Sequence, residues 1–221
     1  MLHYFRNNRG LPADPVAGFT LVELMVSLAI VSVILTVVVS NQSTYTDGAA
    51  LMGLADEISS SVSQAQAYGI GVKEFSPGSG EFDASYGLAF SLLSSDSNTA
   101  YLSFADRDPI GPALPNQSYD GDWSCPVGGS SECLGKVDIS RGNYIESLCV
   151  VRSSGADNCS VARRVDISFA RPDTETQLIF FNTSGGQFNP PNMIGAKIVL
   201  QSPGGSTRSV TVYSTGQISV Q

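Results

Sequence analysis

Glu23 is the only charged side chain in the run GFTLVELMVSLAIVSVILTVVV, which spans residues 18–39. It sits four places after Phe19, the spacing that brings two residues together on one helix face. Residues 19–39 would rise about 30 Å as a helix, the thickness of a bilayer's hydrocarbon core. A charge at the centre of such a span costs on the order of 3 kcal/mol, and less near its end. A carboxylate here therefore needs a partner or access to the interface. One partner arises if the chain is cut between Gly18 and Phe19, because Phe19 then carries a positive amine. Pairing that amine with Glu23, within one chain or between two, lowers the cost of both charges. It also sets an axial register, the best attested role for buried polar groups.

The segment before the run supports such a cut. Residues 1–18, MLHYFRNNRGLPADPVAG, carry Arg6, Arg9 and two prolines and have no apolar core. In an ordinary secretory signal the apolar region precedes the cleavage site. Here the candidate boundary precedes the apolar region, so cleavage removes a polar leader and leaves the helix on the mature chain. Arg6 and Arg9 are expected to stay cytoplasmic, which places everything after the span on the far side of the membrane.

Cys125, Cys133, Cys149 and Cys159 are the second group with chemical potential. An even number of cysteines in an exported chain points to disulfides. Three pairings are open, and proximity favours Cys125–Cys133 and Cys149–Cys159. Each would close a loop of about ten residues, worth about 2–3 kcal/mol by loop entropy. Zinc is not expected, since there is no C-x-x-C and the single histidine, His3, is in the leader. Asp106/Asp108 and Asp120/Asp122 are paired acids. Calcium takes several oxygen ligands, but the full loop pattern is missing, so turn-forming aspartates on a solvated loop are the expected reading. No nucleophilic triad, phosphate loop, dinucleotide fingerprint or H-E-x-x-H is present. The chain is therefore not expected to be an enzyme, and no catalytic residue, cofactor or metal is assigned.

The string GFTLVELMVSLAIV, from Gly18 onward, resembles the N-terminal motif of type IV pilins and type II secretion pseudopilins. The resemblance implies that a prepilin peptidase cleaves between Gly18 and Phe19 and methylates the amine of Phe19. It also implies that Glu23 is the assembly glutamate, paired with the amine of an adjacent subunit. The implied partners are that peptidase, other pilins or pseudopilins through the N-terminal helix, the inner-membrane assembly platform, and membrane lipid before assembly. The rest of the chain resembles the GspH/FimT subgroup of minor pilins and pseudopilins. The signals are YGLAF at 86–90, ISFARPD at 167–173, and the closing KIVLQSPGGSTRSVTVYSTGQISV. Some FimT-like proteins bind DNA through a basic C-terminal region. Here the closing strands offer Lys197 and Arg208, but Gly216 and Gln217 stand at the last turn with no arginine. With a formal net charge of −8, nucleic acid is not an expected partner.

The elements that must position these residues follow from periodicity. Leu51, Leu54, Ala55, Ile58, Val62 and Ala65 recur at steps of three and four. This extends the helix past the membrane with one apolar stripe, ending near Gly69 or Gly71. Its expected use is packing onto the chain's own head. Beyond residue 71 the pattern becomes short alternating strands separated by Gly, Ser, Asp and Asn clusters. The stretch 106–135 is rich in Pro, Gly, Asp and Ser and reads as a long surface loop. Trp123, the only tryptophan, is expected to anchor it, with an exposed contact as the alternative.

The expected fold is α+β, a long N-terminal helix packed on an antiparallel β-sheet or sandwich head. Residues 1–18 are the leader, 19–70 the helix, with 19–39 transmembrane, and 71–221 the head. The expected function is structural: a minor pilin or pseudopilin of a type IV pilus or a type II secretion pseudopilus, priming assembly near the tip. Alternatives are a tip-displayed adhesin or DNA-binding minor pilin, and a plain single-pass protein that never polymerises.

Overall fold

The computed structural model describes residues 18–71, 73–75, 78, 80, 82, 84–107, 116–126, 131–172 and 175–221. Residues 1–17 of the leader and Asp108 lie outside the described residues. The chain divides into two compact units, Met1–Ser43 and Thr44–Gln221.

One helix, α1 (Leu21–Ile70), runs through both units. Among the described residues eleven strands follow: β1 (Ser85–Ser91), β2 (Ala100–Asp106), β3 (Cys133–Asp138), β4 (Tyr144–Arg152), β5 (Asn158–Ala162), β6 (Arg164–Phe169), β7 (Gln177–Phe181), β8 (Gln187–Phe188), β9 (Met193–Gln201), β10 (Thr207–Tyr213) and β11 (Ile218–Val220). They form a six-stranded sheet in the order β3-β2-β1-β6-β7-β8 and a five-stranded sheet in the order β11-β10-β9-β4-β5. Every pairing is antiparallel. The fold is α+β, a long N-terminal helix on antiparallel sheets, as the periodicities predict.

Within the second unit, the α1 stripe Leu51, Leu54, Ala55, Ile58, Val62 and Ala65 is wholly buried. It shares one core with Leu88 and Phe90 of β1, Ile167 and Phe169 of β6, Leu148 and Val150 of β4, and Ile198 and Leu200 of β9. Both sheets therefore contribute to the surface that receives the helix. Burying each large aliphatic side chain stabilises the unit by about 1.5–3 kcal/mol.

Two strand segments were not legible from the pattern. β5 (NCSVA) is half-polar and is held as an edge strand beside β4; β8 is only a two-residue ladder. The connection between β2 and β3 also differs from the expectation. Asp106 ends β2 and Cys133 opens β3, so the loop is residues 107–132. Its described part is more than a surface excursion. Tyr119, Trp123 and Cys125 form a second core with Ala89, Leu102, Phe104 and Cys133. The reason lies in the strand alternation: Leu88 and Phe90 face the main core, which leaves Ala89 on the other face beside Leu102 and Phe104. The loop removes that second apolar face from water, and every residue of β1 is buried.

Two glycines of α1 separate packing from propensity. At Gly69 an added Cβ would lie 2.3 Å from the carbonyl oxygen of Phe169, so helix and β6 backbones approach where only glycine fits. At Gly53 nothing lies within 4 Å of the added carbon. Gly69→Ala is expected to destabilise the protein by about 1–3 kcal/mol through overpacking. Gly53→Ala is expected to stabilise it by up to about 1 kcal/mol through helix propensity. Urea midpoints of the two variants check this pair, and equal shifts would refute the close approach.

Candidate functional site

Residues 18–39 are built by a capped apolar helix. Thr20 stands just before the first helical residue, and its Oγ1 accepts the backbone N–H of Glu23 at 3.2 Å. Its carbonyl oxygen accepts the N–H of Leu24 at 3.1 Å. Thr20 is thus the N-cap, and Thr20-Leu-Val-Glu23 has the T-x-x-E order of a capping box. Glu23 lies in the first turn, where the helix dipole favours a negative side chain. The sequence reading gave Glu23 a partner beyond the helix and passed over this local role, although T-x-x-E was the available signal.

Leu21–Val39 has a mean hydropathy of 2.7, with none of it buried. Phe19, Leu21, Leu24, Leu28, Ile34 and Val38 are all exposed. By length and composition the segment can cross a membrane. Ser27, Ser32 and Thr36 do not interrupt its apolar character, because each hydroxyl donates to the carbonyl four residues back, at 2.8 Å. These bonds satisfy the hydroxyls inside the helix, as a lipid environment requires.

In the head, Cys125 is bonded to Cys133 and Cys149 to Cys159. The first bridge fastens the loop to the start of β3. The second ties buried Cys149 of β4 to β5 at the sheet edge. Trp123 is 8% exposed, an anchor in the second core. The paired acids serve the same loop. Asp106 is buried and its Oδ2 accepts the N–H of Gln117 at 2.5 Å. Asp120 accepts from the Asn116 amide at 2.7 Å, and Asp122 from the N–H of Ser124 at 2.7 Å. Among the described residues no group of three or more His, Cys, Asp or Glu is placed to hold a metal.

The residue that sequence reasoning missed is Asp166. In VDIS it looks like an outward-facing strand aspartate, yet it is fully buried under the loop. Its carboxylate accepts from Ser118 Oγ at 2.8 Å, from Tyr119 N at 2.9 Å, and from Arg164 Nε and Nη2 at 2.9 and 2.6 Å. Burial pushes its pKa up, while the Arg164 guanidinium and the two loop donors pull it down. Arg164 also donates to the carbonyl of Tyr119 and lies 4.6 Å from the ring centroid of Phe181. Desolvation pushes the Tyr119 phenol up to about 12, helped by Glu132 and Asp122. Lys197, one of the two cations considered for nucleic acid, is paired with Asp157.

With this geometry in place, residues 15–39 match the family model described as the prokaryotic N-terminal methylation motif. That motif is typical of type IV pilins and pseudopilins, and it implies processing by a prepilin peptidase and assembly with related subunits. No curated protein and no solved structure gives a match. The matched span includes Gly18, Phe19 and Glu23 and coincides with the exposed apolar part of α1. This combination is consistent with a structural subunit of the pilin and pseudopilin superfamily.

Asp166 offers a test of what holds the head's loop. Asp166→Ala leaves the Arg164 guanidinium largely buried without its carboxylate, a loss of about 3–5 kcal/mol for such pairs. Asp166→Asn retains acceptor and shape and should cost less. Chemical denaturation of both variants checks the order.

Proposed function

We propose that this chain is a minor subunit of a type IV filament system, either a type IV pilus or a type II secretion pseudopilus, of the GspH/FimT kind. The observation that carries the reading is the methylation motif at residues 15–39, which covers an apolar helical segment, Leu21–Val39, with none of it buried. A wholly exposed apolar helix is stable only in lipid or against other apolar helices. A subunit that moves from the inner membrane into a filament exchanges the first environment for the second. The head then stands on the periplasmic or extracellular side, where disulfides persist.

In this reading the peptidase cuts the bond between Gly18 and Phe19, and the new amine is methylated. That amine and Glu23 carry opposite charges at the start of an apolar helix. Between neighbouring subunits their attraction is strong because the surroundings are poor in water. An unpaired Glu23 would be expensive there, so the pair selects one stagger between helices. The minor status and the priming role near the tip rest on the head's resemblance to GspH/FimT proteins.

Gly18→Val is expected to block maturation, because a peptidase site needs a small residue there; intact mass of the membrane-bound chain checks it. Glu23→Ala is expected to mature normally but to be strongly depleted from sheared filaments. Mass spectrometry of those filaments also gives the stoichiometry. A trace of chain beginning at methylated Phe19 supports a minor subunit, and dominance over all other pilins would refute it. Uncut chain confined to the membrane would refute the filament reading as a whole.

A further inference from the structure

The loop is held down by carboxylates in an unusual way. Three of them, from three places in the chain, accept nearly consecutive backbone N–H groups. Asp106 at the end of β2 takes Gln117 N at 2.5 Å, Asp166 of β6 takes Tyr119 N at 2.9 Å, and Glu132 takes Asp120 N at 2.9 Å. The loop adds Asp120 itself to the cluster, held by Asn116. Charged acceptors make strong bonds to backbone donors, but like charges gathered on one short segment repel. Arg164 engages Asp166 through both Nε and Nη2. Lys136 donates to the carbonyl of Trp123 at 3.4 Å, and the Asp122 carboxyl is lowered chiefly by the hydrogen bonds from Ser124, with a smaller pull from Lys136.

We propose that Glu132 is a proton-operated latch for the segment 116–126: with Glu132 neutral the segment sits tightly on the outer face of β1 and β2, and with Glu132 ionised it loosens. Glu132 is half-buried one residue before Cys133. Burial first, and the carboxylates of Asp106, Asp120 and Asp166 after it, together raise the carboxyl to about 7 against the opposing bond from Asp120 N. A raised pKa in the closed state means that closing binds a proton. The latch is therefore fully engaged below about 4.5, the ordinary glutamate value, and weakens as pH rises through about 7.

Two further features suit a movable segment. The buried Nε1 of Trp123 has no hydrogen-bond acceptor among the described residues, so leaving its place breaks no bond to them. The Cys125–Cys133 bridge keeps the end of the segment beside β3 while the remainder loosens. Loosening would present Tyr119 and Trp123 at the surface, and closing would bury them.

The experiment is hydrogen exchange on the full chain in detergent, at pH 5 and pH 8, corrected for intrinsic exchange rates. Protection of the Gln117, Tyr119 and Asp120 amides should fall about ten-fold or more at the higher pH, while amides in β4 and β9 stay unchanged. Glu132→Gln should remove the pH dependence and keep the pH 5 level of protection. A pH-independent wild type, protection that rises with pH, or the same dependence in Glu132→Gln would each overturn the proposal. If the variant does not fold, carbon-13 titration of the wild-type Glu132 carboxyl decides: a midpoint near 7 supports the latch, and one near 4.5 overturns it.

Discussion

The burial of one stripe of α1, from Leu51 to Ala65, is the interaction on which the head depends. Both sheets bring apolar side chains to the same helical surface. Without the helix, Leu88, Phe90, Ile167, Ile198 and Leu200 would lose a shared partner. Helices gain most of their stability from such packing and little from propensity alone. The contrast within α1 is chemical. From Leu21 to Val39 the helix is apolar all round, which suits lipid or a bundle of like helices. From Leu51 it is apolar on one side only, with Asp56 and Glu57 exposed, which suits water on the other.

The outer face of the six-stranded sheet is finished by different means. Ala89, Leu102 and Phe104 face away from the helix, and no second helix covers them among the described residues. A loop does the work, but loop backbone carries N–H groups that need acceptors once buried. Asp106, Asp166 and Glu132 supply them. Ser168 completes the attachment by donating to the carbonyl of Gln117 at 2.8 Å. The cover is therefore polar in its fastening and apolar in its filling, with Tyr119 and Trp123 beneath. A disulfide at its end limits how far it can depart.

Much of this was legible before any coordinates, and the exceptions have physical causes. Helical periodicity identified the stripe residue by residue, because all six positions follow one face of α1. Most strands were legible because alternation and turn clusters survive in the sequence. β5 was missed because NCSVA has too little apolar character to register, and its place comes from pairing with β4 rather than from its own composition. Asp166 was passed over for a related reason. Alternation assigns a strand aspartate to the solvent side, which is correct for the face but not for the environment, since a distant loop covers that face. Gly69 was read as a stop signal. It lies one residue before the helix end, yet the constraint on it is the Phe169 carbonyl oxygen, a contact about one hundred residues away in sequence and invisible to any local rule.

The N-terminal residues show how one short string can satisfy several constraints together. Thr20 caps the helix by accepting the N–H of Glu23. Glu23 sits in the first turn, where the helix dipole favours its charge. Both effects operate within a single chain and would suit any helix start. They therefore do not explain why the helix beyond Glu23 is apolar on every side, or why a small residue stands at position 18. The proposed membrane span would account for the first and the proposed processing site for the second. The observed cap and the proposed assembly role are compatible because they use different atoms: the cap takes the backbone N–H of Glu23, and the proposed pairing would use its carboxylate. In the proposed function, a glutamate at this place would start the helix in the membrane and still set its register among other helices later.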